Sequence, residues 1–412
     1  MSIQQNFPAI SPSLSLNFAR SKTLDPRITF TRTSSGTRTN ETGLVEVVPA
    51  NSPRFDHSYD PVSGTVRSLG LLVEEQRINL ATYSSDMSQW TTNVSPIYAD
   101  NDTTAPDGTA TADKLTGNNA AADGRYIIVT ISANTTYSVA SFIKPTDQPR
   151  TRIGVYSNVD SWYGNVDTDW DANGEPTTQN SVGASNIKYE PYPNGWYRLS
   201  FQFTSPATIN GTVEYFHMPD RTATGKSVWF WGAQLEAGAF PTSYIPTSGS
   251  TVTRTPDNVS MVGENFSSWY NQSEGTIYVS QKLKSIDNVD RNSLVYLING
   301  GSGTDIFYNV KNGDTNIFVF GDNGTNYSRW QENGDSTDTK AIWAYDVSGD
   351  DFKPYWNGIE GINESTSNTP SATSHTQLEI GATVSAKYNG HISQLTYYPR
   401  RLTNSNLQNL TK

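Results

Sequence analysis

The sequence predicts an all-β chain: two antiparallel β-sandwich (jelly-roll) domains preceded by an extended, turn-rich N-terminal segment. Period-two patterning is the first reason. In GWYRLSFQF, Trp196, Arg198, Ser200 and Gln202 fall on one side and Tyr197, Leu199, Phe201 and Phe203 on the other, the pattern of a strand with one apolar face. Turn chemistry is the second. Asn-Gly pairs at 173–174, 194–195, 312–313, 323–324, 357–358 and 389–390 supply the positive φ that two-residue hairpins need. Composition is the third. Charged residues are only 17% of the chain, against roughly 25% in average globular proteins, and Asn, Ser, Thr and Gly take their place. These residues compete with helical backbone hydrogen bonds and favour strands and turns.

The 412 residues exceed one small core and divide into four stretches. Residues 1–80 are turn-rich and carry Arg20, Arg27, Arg32, Arg38, Arg54, Arg67 and Arg77. This stretch has too few alternating apolar residues to bury a core of its own, so its arginines are expected to bond carboxylates and carbonyls of a partner. Residues 81–247 alternate through TYSVASFIK, TRIGVYSNV, GWYRLSFQF and SVWFWGAQLE, and predict the first sandwich. Within them Trp196, Trp229 and Trp231 read as core, with Trp229 and Trp231 opposite Phe230. Residues 248–264 read as a linker. Residues 265–412 resume the pattern with TIYVSQKL, SLVYLING, NIFVFGD, TKAIWAYDV and HISQLTYYP, and predict the second sandwich. Helical periodicity is confined to the closing LTNSNLQNLTK.

Net charge of −11 excludes nucleic-acid binding, because neutralising a phosphate backbone needs clustered Lys and Arg. The absence of Cys excludes disulfides and thiolate chemistry, and fits synthesis in a reducing cytoplasm. MSIQQNFPAI lacks the basic and apolar regions of a signal peptide, and no run approaches the ~20 apolar residues of a membrane span.

Four blocks resemble known proteins. LNFARSKTLDPRITFTR (16–32) and SPRFDHSYDPVSGTVRSLGLLVEEQRINL (52–80), leading into YSSDMSQW (83–90), resemble the leader of tailed-phage virion proteins, as in marine and cyanobacterial phages. GWYRLSF and SVWFWGAQLEAGAFPTSYIPT resemble phage carbohydrate-binding-like jelly rolls. EGTIYVS through GHISQLTYYPRRLTNSNLQNL is similar to concanavalin-A-like or laminin-G-like sandwiches. The resemblance implies a tail fibre or adhesin of the virion, attached to other virion proteins through residues 1–80. It also implies a homotrimer and host-surface glycan recognition. A capsid-bound head fibre or decoration protein with the same modules is the alternative, and a polysaccharide depolymerase a third reading.

Chemistry in the residues favours binding over catalysis. The four histidines, His57, His217, His375 and His391, stand in no nucleophile or metal-ligand pattern. Adjacent Glu74 and Glu75 would face opposite sides of a strand, which suits no glycosidase pair. No catalytic residue, cofactor or metal is assigned. Asp169-Trp-Asp171-Ala-Asn173-Gly174 opens like a calcium loop, but its twelfth position is Asn180 rather than a bidentate Glu, so it reads as a hairpin turn. Aromatic rings stack on sugar faces while short polar side chains bind the hydroxyls. VDSWYGNVDTDW combines both, giving Trp162, Tyr163 and Trp170 with Asp160, Asn165 and Asp169 as the candidate glycan site. Tyr327, Trp330, Tyr355 and Trp356 form a second candidate platform.

Overall fold

The computed structural model describes residues 8–118, 120–147, 149–158, 161–209, 211–283, 292–299, 303–312, 315–322, 325–333, 338–349, 351–363, 375–380 and 388–412. Between 292 and 333 the strands are given by their backbone, Leu297 excepted. Every described strand pair is antiparallel and the helices are short, so the all-β prediction holds.

The central sandwich has two six-stranded sheets. One runs Ser185–Tyr192, Trp196–Thr204, Thr136–Pro145, Ser227–Ala237, Ala112–Thr116, Ile97–Thr103. The other runs Pro176–Val182, Ser161–Trp170, Thr151–Ser157, Thr212–Met218, Gly124–Thr130, Thr91–Asn93. Their facing sides meet in one core, including Val139, Leu199, Phe201 and Phe230 from the first and Ile153, Val155, Val166 and Tyr215 from the second. Tyr197, Leu199, Phe201 and Phe203 enter this core as their alternation predicts. The opposite face is not wet, however. Trp196 and Trp231 pack there with Val45, Ala105, Phe142 and Tyr244, and Trp229 lies against the same cluster. The hairpin of Gly36–Thr39 and Val45–Val48 supplies Val45 to this cover, so a strand patterned as half-buried becomes buried on both sides.

The second sandwich is built from both ends of the chain, which corrects the expected division. Leu14–Asn17 pairs with Gly390–Tyr398, Leu14 lying opposite Tyr397. Thr65–Val73 pairs with the same strand and carries Arg54–Asp60 beside it. Thr29–Thr31 borders Asn258–Val262 in the facing sheet. Leu14, Leu16, Phe18, Phe55, Leu71 and Val73 share a core with Ile277, Trp343, Leu378 and Leu395. Residues 14–73 therefore do bury apolar surface, but only jointly with strands far along the chain. The expected linker is also structural: Val252–Arg254 pairs with Arg77–Asn79, and Asn258–Val262 is a sheet strand.

Turn chemistry is borne out at two of the Asn-Gly pairs. Asn194 and Gly195 have φ of 62° and 76°, and Asn357 and Gly358 have 43° and 81°. Asn389 does something else: it is buried, and its side chain accepts the Glu75 N–H at 2.9 Å. The predicted C-terminal helix is Asn404–Thr411, capped by Thr403.

Where the two sandwiches meet, the N-terminal arginines find partners inside the same chain. Arg54 is fully buried and bonds Glu74 at 2.8 Å, the Ser243 hydroxyl at 2.7 Å, the Thr37 carbonyl at 3.0 Å, and Asp257. Arg32 meets the other Asp257 oxygen at 3.0 Å, and Arg254 lies 3.6 Å from Glu74. Arg77 bonds Glu75 and the Ala237 carbonyl. The expectation that these arginines serve a partner chain is thereby corrected: carboxylates at 74, 75 and 257 are nearer, and buried charge persists only when paired.

Candidate functional site

Ser161–Trp170 carries a bulge: Val155 pairs with Gly164, while the next residue, Tyr156, pairs with Trp162. One extra residue on this strand changes which side chains share a face. Trp162, Asn165, Asp167 and Asp169 lie on the outer face of their sheet. Tyr163 and Trp170 go inward, Trp170 buried and edge-on to Tyr197 at 6.0 Å. These two are therefore core residues, a correction to the predicted platform. Asp160 lies outside the described residues.

On the outer face Trp162 belongs to an aromatic cluster. Its ring centroid is 5.2 Å from Tyr156 and 5.8 Å from Phe216, and Tyr126 continues the cluster 4.8 Å beyond Phe216. Trp162, Tyr156 and Tyr126 are half-buried and Phe216 is buried beneath them. The indole crosses over Gly154, where an added Cβ would stand 2.6 Å from both the ring and the Asn165 Cβ. Glycine is thus required for the ring to lie flat on the sheet.

Charge borders the rings. The Arg152 guanidinium lies 5.0 Å from the Trp162 centroid, within cation–π range, and holds Asp167 through two bonds of 2.5 and 2.7 Å. Arg150 grips Asp169 in the same forked manner at 2.8 and 2.9 Å, a pair about one-third exposed. Asp169 raises the Arg150 pKa above its ordinary value through this hydrogen bond, against a smaller opposing effect of burial. Asn165 is fully buried next to the indole, and neither its amide nitrogen nor its oxygen has a hydrogen-bond partner in the protein. A half-exposed ring beside a forked carboxylate–guanidinium pair that is one-third exposed can stack on and hydrogen-bond a polyhydroxylated ligand.

Sequence reading missed Tyr126, Tyr156, Phe216 and Arg152. The signal for two of them was present: in TRIGVYS, Arg152, Gly154 and Tyr156 alternate onto one face, and antiparallel pairing with the next strand sets them beside Trp162. Tyr126 and Phe216 come from other strands, and their registers are fixed only by the whole sheet.

Of the second predicted platform, Tyr355 and Trp356 are buried in different clusters. Trp356 is buried in the second sandwich, 6.1 Å from Trp343 and edge-on. Tyr355 is buried in a small cluster with Leu402 and Leu407, its hydroxyl on Glu360 at 2.8 Å. The side chains of Tyr327 and Trp330 lie outside the described residues. The expected hairpin turn at 172–175 is observed, closed by Asp171 and Glu175 between the two strands. Asp171 Oδ1 accepts the N–H groups of Asn173 at 2.8 Å and Glu175 at 2.9 Å, and Asp169 is held by Arg150. Among the described residues, one acidic trio, Asp86, Asp100 and Asp113, brings carboxylate oxygens within 4.8 Å of one another. Both Asp113 oxygens accept backbone N–H groups, of Met87 at 2.7 Å and Asn101 at 3.0 Å.

No family model matches the chain, and no curated protein matches it. Several solved structures overlap it in part. The CBM40 module of a Ruminococcus gnavus sialidase, bound to α2,6-sialyllactose, is 17% identical and covers 34% of this chain and 85% of its own, with a TM-score of 0.28. The receptor-binding domain of a botulinum neurotoxin C/D mosaic is 12% identical over 37% of this chain and 39% of its own, at 0.28. A Trypanosoma rangeli sialidase is 8% identical over 70% of this chain and 60% of its own, at 0.30. Overlaps at these scores carry no argument about this molecule, whose fold class rests on the strand pairing above.

Proposed function

We propose that this chain is a non-catalytic adhesin of a tailed-phage virion, a tail fibre or similar appendage, which presents its central sandwich to a host-surface glycan. The observation that carries the glycan reading is the outer face on which Trp162, Tyr156 and Phe216 stand beside Arg152, Asp167 and the unpartnered Asn165. The virion assignment is supported by the leader-like and GAQLE-type blocks of the sequence. Because Leu14–Asn17, Thr29–Thr31, Arg54–Asp60 and Thr65–Val73 are strands of the second sandwich, attachment to the particle falls to that sandwich rather than to a separable leader. A ring on a sugar gives about 0.5–1.5 kcal/mol beyond burial, by analogy with aromatic pairs, so each site is weak. Adhesion then depends on several copies, as in a homotrimer repeated on one particle.

The test is a glycan array probed with the wild-type chain, Trp162→Ala and Gly154→Ala. Trp162→Ala should lower the signal for bound glycans about 2- to 12-fold, the factor equivalent to the ring contribution. Its stability loss should stay below the roughly 3–5 kcal/mol of a fully buried Trp, because the ring is half-buried. Gly154→Ala should lower binding by a similar factor while Trp162 remains, since the added methyl displaces the indole. Glycan binding left at the wild-type level by both substitutions would overturn the assignment of this face. Release of shortened saccharides by the wild-type chain would overturn the non-catalytic reading.

A further inference from the structure

A cavity of about 450 Å³ lies between the two sandwiches, on the side away from Trp162. That volume falls in the range of small-molecule sites, which favour domain junctions. Its inner wall is aromatic: Tyr192 and Tyr244 stand edge-on to Phe142, at 5.0 and 6.3 Å. Across from them Asp56 Oδ2 lies 2.7 Å from Nε2 of His391, whose side chain is only 6% exposed. Nδ1 of His391 has no hydrogen-bond partner in the protein. The carboxylate engages Nε2, which leaves Nδ1 as the ring nitrogen able to hydrogen-bond a ligand. The lining carries Arg38, Arg67, Lys188, Arg198 and Lys282 against the carboxylates of Asp56 and Glu190, with Arg67, Lys188 and Lys282 exposed at the rim and Asp60 3.7 Å from Arg67. A rim with this excess of cations is unusual on a chain of net charge −11, and it attracts an anion.

We propose that this cavity is a second saccharide site, specific for a sugar residue that bears a carboxylate. The rim cations receive the carboxylate, a ring hydroxyl hydrogen-bonds Nδ1 of His391, and the apolar sugar face rests on Tyr192. The site shares no residue with the Trp162 face, so the two stand or fall separately. The experiment is calorimetric titration of the full chain with glucuronate and galacturonate, and with glucose and galactose as their neutral counterparts. At least one uronate should bind about tenfold or more tightly than its neutral counterpart, the scale of one charge-assisted hydrogen bond. The double substitution Arg67→Ala, Lys188→Ala should remove most of that preference without moving the melting temperature, because both side chains are exposed. Trp162→Ala should leave uronate binding intact. Failure of both uronates to bind at millimolar concentration, equal binding of charged and neutral sugars, or indifference to the double substitution would each overturn the proposal.

Discussion

Replacing Arg54 by Ala tests whether the junction between the sandwiches is held by its buried ion network. The guanidinium has no solvent exposure and makes bonds to Glu74, Asp257, Thr37 and Ser243. Removing one partner of a buried pair costs about 3–5 kcal/mol, because the remaining charge stays desolvated and uncompensated. Here each stranded carboxylate keeps other partners. Glu74 retains the Ser243 hydroxyl at 2.7 Å and N–H at 2.8 Å, and Asp257 retains Arg32 at 3.0 Å and the Glu74 N–H at 2.9 Å. The expected cost is therefore at the lower end, about 3 kcal/mol. At about 2–4 °C per kcal/mol for a unit of this size, that is a fall of roughly 6–12 °C in calorimetric melting temperature. Arg27→Ala is the control: it breaks the pair with Asp25, whose side chains are 30% and 22% exposed, and should cost less than about 1 kcal/mol. Equal melting of the two variants would refute the reasoning, since it would mean that burial of the Arg54 network contributes nothing.

Two other expectations follow from the same architecture. Deleting residues 2–50 removes Leu14, Leu16 and Phe18 from the second core and Arg32 from the junction, so the truncated chain should lose solubility and its cooperative melt; wild-type melting would refute this. Burial pushes the pKa of His217 down to about 3; the ring lies between Trp90 at 4.9 Å and Phe230 at 4.8 Å, with neither nitrogen hydrogen-bonded. The unfolded chain therefore takes up this proton first. The stability from the neutral ring is complete above the unfolded pKa near 6.5 and falls as the pH drops toward 3, with a loss of about 2 kcal/mol by pH 5. Asp113, pushed up to about 6 chiefly by burial, contributes with the opposite sign. It is common to the wild type and His217→Phe, so the difference between their denaturation profiles from pH 7.5 to 4.5 isolates the histidine. A flat difference would refute the assignment.

The sequence blocks that resemble phage proteins meet one another in space. GLLVEEQRINL supplies Glu74 to the Ser243 N–H, Arg77 to the Ala237 carbonyl, and Asn79 to the backbone of Ala233, Leu235 and Ile245. GAQLEAGAFPTSYIPT closes on itself through Gln234 to Ile245 and Glu236 to Thr242. Glu74 and Ser243 join the two blocks at the junction, and Gln234 and Glu236 brace the second block there. What they specify is the junction, while the candidate glycan face is made by strands with no such motif.

By itself the sequence determined the strands, the turns and which residues of a strand lie together. Tyr197, Leu199, Phe201 and Phe203 face one core because side chains alternate every second residue, and Asn194-Gly195 turns because both residues accept positive φ. Only the tertiary structure decided what covers each face. Trp196 is buried by the hairpin from residues 36–48, and Leu14 is paired with Tyr397 at the other end of the chain. It also decided that Trp162 and Trp170, which period-two counting puts on one face, part company at a bulge that such counting could not place. The physical reason is the range of the interactions. Alternation and turn propensity are local properties of a few residues, whereas burial, strand register and ion pairing depend on whichever distant segment supplies the complementary surface.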